Sequence, residues 1–174
     1  LDSGNTNSEA DETNNEAPLA ASVFRVGSQA FYQGDDTVNN VQVYASNSQL
    51  TIVYNGNAAS FDETDITDVR VQLLGDADIL ISGEDLTQRL WVYGGGGNDL
   101  LNGGDGDDFL VGGEGDDQIT GGAGDDLLDG GPQRDQLDGG SGNNLLINGE
   151  SSLGPSLQVE YVVDPSAPLT FPLW

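Results

Sequence analysis

A nine-residue repeat limits the folds open to this chain more than any other feature. Residues 94–147 divide into six consecutive nonapeptides: GGGGNDLLN, GGDGDDFLV, GGEGDDQIT, GGAGDDLLD, GGPQRDQLD and GGSGNNLLI. An apolar residue occupies the eighth place of every copy, at Leu101, Leu110, Ile119, Leu128, Leu137 and Leu146. A single unit of this size cannot bury its apolar side chain alone, so the period predicts a stack of equal units that share one core.

Two other Gly-rich architectures do not fit the repeat. Collagen has a period of three and is rich in Pro, whereas the period here is nine and the block contains one Pro, Pro132. A disordered Gly/Asp linker would not keep an apolar residue at a constant place. Gly at places one, two and four instead permits the positive φ angles and close backbone approach of a tight turn.

Charge and composition restrict the partners. The chain has 30 Asp and Glu against 4 Lys and Arg, a formal net charge of −26, so we expect it to bind neither nucleic acid nor an anionic membrane surface. His, Cys and Met are absent, which leaves oxygen atoms as the abundant ligands and multivalent cations as the natural counterions. No run of about 18 apolar residues occurs, so no membrane span is expected.

The nonapeptides resemble the RTX family, the calcium-binding repeats of secreted bacterial proteins, whose pattern is G-G-x-G-x-D-x-U-x. The resemblance covers residues 94–147. It implies that the first six residues of each repeat form a turn, that the last three form a short strand, and that two repeats complete one coil of a right-handed parallel β-roll. We therefore expect an all-β fold, a β-roll or β-solenoid with an N-terminal antiparallel β cap and an extended C-terminal segment.

The same resemblance implies Ca²⁺ ions, about three to five in number, bound between the turns by carboxylates and backbone carbonyls. With two repeats per coil, sixth-place residues 18 positions apart stack on one edge of the roll and share an ion. The predicted metal ligands are Asp78, Gly95, Gly97, Asp99, Gly104, Gly106, Asp108, Gly113, Gly115, Asp117, Gly122, Gly124, Asp126, Asp135 and Asn144.

The predicted ligands fall on two edges. One edge carries Asp99, Asp117 and Asp135, joined upstream by Asp78 from a weaker repeat, LLGDADILI, at residues 73–81. The other edge carries Asp108, Asp126 and Asn144. Fifth-place Asp107, Asp116 and Asp125 are predicted to serve the turn or solvent rather than an ion.

Three positions predict weaker sites. Residues 82–93 contain three extra residues, interpreted as a widened turn, and place Leu90 at the sixth place, so no strong site is expected between residues 90 and 108. Arg134 brings a cation to the turn beside Asp135, and Asn144 offers an uncharged amide.

The flanking regions complete four predicted segments: an acidic polar leader at 1–18, an N-terminal β region or cap at 19–72, the calcium-binding RTX β-roll at 73–147, and a C-terminal strand with an apolar tail at 148–174. Asn55-Gly56 predicts a type I′ hairpin turn within the cap. The tail is predicted to fold back as a cap, to dock into another subunit as an added strand, or to serve as a secretion or sorting tail. Because the first residue is Leu1, we expect processing from a precursor.

Composition argues against an enzyme, because the absence of His, Cys and Lys excludes a zinc-protease motif, a Ser-His-Asp triad, a thiol nucleophile and a Schiff-base lysine. Two functions stay open. One is a secreted calcium-binding structural protein that self-associates into an extracellular fibre or cell-surface assembly. The other is a calcium-binding, secretion or spacer module of a larger secreted adhesin or RTX exoprotein. Both place the chain outside the cell.

Overall fold

Alternating apolar residues upstream and Gly-bounded apolar triplets downstream both favour extended backbone, and strands dominate the structure. A computed structural model describes residues 22–83, 85–148 and 158–162, with residues 148 and 158–162 described by their backbone alone. A short 3-10 helix spans Glu63–Asp65. The strands are β1 Ser22–Val26, β2 Gln29–Gln33, β3 Asn40–Ser46, β4 Gln49–Tyr54, β5 Asn57–Asp62, β6 Asp68–Leu74, β7 Ile79–Ser82, β8 Arg89–Gly96, β9 Leu100–Gly104, β10 Phe109–Glu114, β11 Gln118–Ala123, β12 Leu127–Asp129, β13 Gln136–Ser141, β14 Asn144–Asn148 and β15 Gln158–Val162.

The described strands form two sheets. The eight-stranded sheet has the order β1-β2-β6-β8-β10-β12-β14-β15, and the seven-stranded sheet has the order β13-β11-β9-β7-β3-β4-β5. From β6 to β14 successive strands alternate between the two sheets, and the neighbours within each sheet pair in parallel. Each coil therefore contributes one strand to each sheet, which confirms the predicted β-solenoid.

The eighth-place residues form the core of the roll. Leu110 pairs with Leu128, which pairs with Leu146, and on the opposite sheet Leu101 pairs with Ile119. All five are buried, and Leu137 packs against them in a half-buried position. The apolar stack predicted from the period is confirmed.

The N-terminal region contains the predicted antiparallel strands. Strand β1 pairs antiparallel with β2, and β3, β4 and β5 form an antiparallel meander. Asn55 and Gly56 have φ angles of 44° and 82°, so the predicted hairpin turn is present. The parallel stack also extends upstream of residue 73, because β2 pairs in parallel with β6 and β3 pairs in parallel with β7.

The core becomes thinner along the chain. Strand β3 buries Val41 and Val43, and β6 buries Val69 and Val71, whereas each nonapeptide buries one eighth-place side chain or, at Leu137, half-buries it. A fully buried aliphatic side chain contributes about 1.5–3 kcal/mol, so the repeats obtain less apolar stabilisation per strand than the cap. Another source of stability must hold them.

At the C-terminal end, β15 pairs antiparallel with β14, in the region where a C-terminal strand was expected. The predicted leader at 1–18 and the apolar tail after residue 162 lie outside the described residues. Among the described residues, no helix is long and apolar enough to cross a membrane.

Candidate metal centre

Glycine suits the turns of the nonapeptides for two physical reasons. Gly113, at the second place, has φ of 117°, and a Cβ at this residue would collide with the carbonyl oxygen of Gly95 one coil earlier. Gly122 stands in the same relation to the carbonyl of Gly104. The second-place glycines share this positive φ: Gly95, Gly104, Gly113, Gly122, Gly131 and Gly140. The turns thus stack backbone directly on backbone.

The weaker upstream repeat adopts the same turn without its glycines. Leu74 at the second place and Asp76 at the fourth place have φ angles of 88° and 65°. Gln133, which replaces the fourth Gly of its repeat, has φ of 83°. The position of a residue in the stack, and not glycine alone, therefore sets the backbone conformation.

The sixth-place residues form one hydrogen-bonded ladder on each edge. On the first edge, the backbone N–H of Asp78 donates to Oδ1 of Asp99 at 2.8 Å, that of Asp99 to Asp117 at 2.8 Å, and that of Asp117 to Asp135 at 3.0 Å. On the second edge, the N–H of Asp108 donates to Oδ1 of Asp126 at 2.9 Å. The structure therefore stacks the predicted aspartates along two lines, as the 18-residue spacing requires.

The second carboxylate oxygen is available on these edges. Oδ2 is buried and has no hydrogen-bond partner within the described chain in Asp78, Asp99, Asp108, Asp117 and Asp126. These residues are 1–3% exposed, so water does not solvate the charge either. A buried carboxylate oxygen without a partner is costly unless a cation binds it.

First-place glycines make room at this oxygen. A Cβ on Gly112 would collide with Oδ2 of Asp117 and lie 2.8 Å from the carbonyl oxygen of Gly130, in the next coil. A Cβ on Gly121 would likewise meet Oδ2 of Asp126 and the carbonyl oxygen of Gly139. The second- and fourth-place glycines were the predicted ligands, whereas the carbonyl that lies beside Oδ2 in the structure belongs to the first place. The presence of Gly there in all six nonapeptides was the available signal.

Burial raises the pKa of the ladder carboxyls. Desolvation raises the pKa of Asp108 to about 8, against a partial offset from the N–H of Leu90. Desolvation likewise raises the pKa values of Asp99 and Asp126 to about 7 and those of Asp78 and Asp135 to about 6, and it raises the pKa of Asp117. The fold holds these carboxyls where an uncompensated negative charge is unfavourable.

Two sixth-place positions differ from this pattern. Leu90 takes the predicted place after the widened turn and donates its N–H to Oδ1 of Asp108 at 2.7 Å, but it offers no carboxylate. Asn144 uses its amide oxygen to accept the N–H of Asp126 at 2.8 Å. Its buried Nδ2 lies beside Gly139, so a donor occupies the position that Oδ2 has in the aspartates.

The fifth-place residues form a second ladder that runs in the opposite direction. Oδ1 of Asp107 accepts the N–H of Asp125 at 2.9 Å, and Oδ1 of Asp116 accepts the N–H of Arg134 at 3.1 Å. Asp125 in turn accepts from Asn143 at 2.8 Å. These side chains carry the turn-forming contacts expected of them.

In the first coil, an amide group occupies the corresponding position. Asn39 donates its N–H to Oδ1 of Asp78 at 2.6 Å, as a sixth-place residue does. Its Nδ2 lies within hydrogen-bond distance of four oxygens: the carbonyls of Asp35 at 3.1 Å, Thr37 at 2.6 Å and Leu73 at 3.0 Å, and Oδ1 of Asp78 at 3.2 Å. The side-chain NH₂ thus sits among oxygens from two successive turns.

The donor set fits a hard cation. In the described part of the chain, no three acidic side chains converge into a ready metal cluster, so backbone carbonyls must complete each site. Ca²⁺ accepts such mixed sets of carboxylate and carbonyl oxygens. Oδ2 of Asp99, Asp108, Asp117 and Asp126, with the first-place carbonyl of the next coil, would hold the ion, whose charge would compensate the buried carboxylates.

Comparison with known proteins agrees with this geometry. Residues 91–119 and 111–146 match the family model of the RTX calcium-binding nonapeptide repeat, which comprises four copies. The comparisons with curated proteins and with solved structures gave no match. The upstream coils at residues 34–42 and 73–81 lie outside the matched segments although they share the stack. RTX repeats bind Ca²⁺ and typically occur in secreted proteins. Residues 91–146 of this chain are therefore RTX calcium-binding repeats, folded as a β-roll module.

Proposed function

We propose that the chain is a secreted structural protein whose calcium-stabilised β-roll assembles with other copies into an extracellular fibre or surface coat. The observation that carries the calcium dependence is the row of buried Oδ2 atoms that have no hydrogen-bond partner in the described chain, in Asp78, Asp99, Asp108, Asp117 and Asp126. Their burial makes the folded repeats unfavourable without a cation and favourable with one. The chain would therefore fold where calcium is abundant.

Secretion would bring the chain to the calcium concentration that folding of its repeats requires. Extracellular calcium modules commonly bind in the range of about 10⁻⁴–10⁻³ M, well above the calcium level inside a cell. The repeats, with a thin core in a chain of net charge −26, would stay unfolded before export and would fold afterwards. We assign the chain no catalytic role, because His, Cys and Lys are absent from the sequence.

The ends of the roll support assembly. Within the described chain, β13 is the last strand of the seven-stranded sheet and pairs on one side with β11. An edge of this kind offers N–H and carbonyl groups to a further strand. Repeated contact between the two different ends of a solenoid generates an open filament rather than a closed dimer.

The test compares the full chain in about 2 mM Ca²⁺ and in excess chelator. Circular dichroism should show β structure with calcium and its loss from the repeats without it, and electron microscopy should show filaments with calcium alone. Filaments that form equally in chelator would contradict the role of calcium. A folded species that stays monomeric at high concentration in calcium would refute the assembly.

The second candidate is a calcium-binding spacer or secretion module of a larger secreted adhesin or exoprotein. It is favoured by the placement of β1 and β15 at opposite ends of the eight-stranded sheet, which suits a module inserted in series between other parts of a chain. The mass of the polypeptide in its native source separates the two: about 18 kDa supports the fibre subunit, and a much larger parent supports the spacer.

A further inference from the structure

An apolar row crosses the outer face of the eight-stranded sheet. Parallel pairing places Phe31 beside Arg70, Arg70 beside Trp91, and Trp91 beside Phe109. The row continues through Leu127 and Leu145. We call these residues the outer stripe: Phe31, Arg70, Trp91, Phe109, Leu127 and Leu145.

Side chains at the middle of the stripe contact one another directly. The rings of Trp91 and Phe109 lie 5.1 Å apart, and the guanidinium carbon of Arg70 lies 4.9 Å from the centre of the Trp91 ring. At the N-terminal end Phe31 stacks on Phe24 at 5.0 Å. Every member of the stripe is half-buried although it lies on the outer face. Tyr93 flanks the row and is 47% exposed.

The outer face of the other sheet is apolar in its earlier coils, where Ile79 pairs with Leu100, and polar in the later ones. In the later coils, the corresponding positions carry Gln118 and Gln136, and the next outward row carries Asn102, Thr120 and Asp138. The solenoid itself therefore does not require an apolar outer face. On a chain this acidic, an apolar row across several strands indicates a contact surface.

We propose that residues 163–174 of the same chain lie across the outer stripe. The chain leaves β15 at Val162, opposite Asn144, so it emerges in the edge strand of the sheet that carries the stripe. Four strand spacings separate β15 from β8, about 19 Å. Twelve extended residues reach about 40 Å, which is enough to cross Leu145, Leu127, Phe109 and Trp91.

The composition of this segment suits that position. Leu169, Phe171, Leu173 and Trp174 supply apolar side chains, and Pro165, Pro168 and Pro172 favour an extended backbone with fewer N–H groups to satisfy. Extended peptides also offer free carbonyl oxygens. In the described chain, Nε1 of Trp91 and Nε of Arg70 are buried without an acceptor, at the middle of the stripe.

Charge and tethering favour this segment. Residues 163–174 contain one acid, Asp164, so little charge repulsion opposes their contact with the stripe. A tethered segment also has a high effective concentration, which a separate molecule lacks.

Because the chain has no native Cys, disulfide trapping tests the placement directly. The calcium-loaded full chain carries Thr170→Cys with Val111→Cys, beside the stripe, or with Thr120→Cys, at the equivalent place on the other sheet. Mild oxidation should form the intrachain disulfide at least tenfold faster in the first variant. Equal rates, or disulfide-linked dimers as the main product of the first variant, would overturn the proposal.

A second measurement does not depend on a disulfide. Deletion of residues 163–174 should raise the binding of an apolar fluorescent dye at least twofold in calcium. Phe109→Ser should abolish that increase, and Leu100→Ser, on the outer face of the other sheet and 41% exposed, should not. Unchanged dye binding after the deletion would refute the docking of this segment.

Discussion

Five sixth-place aspartates divide their two oxygens between two roles. Oδ1 accepts a backbone N–H from the preceding coil, as Asp126 does from Asp108 at 2.9 Å. Oδ2 stays buried and unpartnered in the described chain in Asp78, Asp99, Asp108, Asp117 and Asp126. The first contact fixes the orientation of the carboxylate, so little entropy is lost when an ion binds. One side chain thus stabilises the stack and prepares the metal position.

Asp108→Asn and Asp107→Asn separate these roles with the same change of charge. Asp108→Asn keeps an oxygen for the N–H but removes the buried carboxylate, and we expect at least about tenfold weaker calcium binding at that site. Asp107 is exposed, and an Asn at this position keeps an oxygen that can accept the N–H of Asp125. Asp107→Asn should therefore change the calcium affinity by less than about twofold. Titration calorimetry measures both, and equal effects of the two variants would contradict the assignment.

The raised pKa values predict a reversal of the pH dependence when calcium is removed. A carboxyl whose folded pKa lies above its ordinary 3.8, such as Asp108 at about 8 or Asp99 at about 7, favours the folded state when protonated, and this contribution is lost as the pH rises through the folded value. The calcium-free protein should therefore be more stable at about pH 5.5 than at pH 8.

With saturating calcium the order should be the opposite, because protons compete with the ion for the same oxygens. Circular dichroism after removal of calcium by ion exchange, and denaturant midpoints after its return, each at the two pH values, measure both directions. A calcium-free protein that is more stable at pH 8 would show that the ladder carboxyls do not oppose folding.

At the scale of the turn, backbone proximity decides which substitutions are tolerated. Gly113→Ala places a methyl group on the carbonyl of Gly95 at φ of 117°, and we expect a loss of about 3 kcal/mol or more. Gly96→Ala has open space around its Cβ and should be nearly neutral. Thermal unfolding in calcium compares the two, and similar melting temperatures would contradict the stacked-backbone account.

Asn39 gives the first turn an internal replacement for an ion. Asn39→Ala removes the NH₂ that reaches three carbonyls and the Asp78 carboxylate, and also the acceptor of the Tyr32 hydroxyl at 2.7 Å. We expect a loss of roughly 2–4 kcal/mol, with or without calcium. Asn39→Asp supplies a carboxylate instead and should add one calcium ion to the stoichiometry. An unchanged stoichiometry in a folded Asn39→Asp protein would refute the equivalence of this turn with the later ones.

The repeat block could be predicted from sequence because its geometry follows a constant spacing. Asp99, Asp117 and Asp135 lie 18 residues apart, and three extra residues before Leu90 shift Asp78 to a separation of 21 without breaking the ladder. The first coil could not be predicted in this way. Asn39 and Asp78 are 39 residues apart because the β4–β5 excursion interrupts the period, and the turn before Asn39 has one glycine, Gly34.

The outer stripe was also missed, because its members become neighbours only through pairing. Trp91, Phe109 and Leu127 recur every 18 residues, but Phe31 and Arg70 join them through the parallel register of β2 and β6. Neither residue belongs to a nonapeptide. Long-range pairing, and not the local pattern, carries this information.

Across the whole molecule, the source of stability changes along the chain. Strands β3, β4 and β6 each bury at least two aliphatic residues, and this region needs no ion at Asn39. Each later repeat buries one aliphatic residue, or half-buries it at Leu137, and the repeats hold buried carboxylates. We expect chelator to expose the amides of residues 94–147 to hydrogen exchange while the amides of β3 to β6 stay protected. Mass-resolved hydrogen exchange with and without chelator measures this, and a uniform loss of protection would contradict a calcium-independent cap.

Because successive strands alternate between two sheets, only certain numbers of residues can be inserted without changing the faces of the downstream strands. Adding 18 residues inserts one whole coil and leaves every downstream side chain on its original face, edge and ladder. Adding nine moves the outer stripe beyond the insertion to the opposite sheet and exchanges the two edges. Insertion or deletion of a pair of nonapeptides therefore preserves this architecture, although the sequence repeats every nine residues.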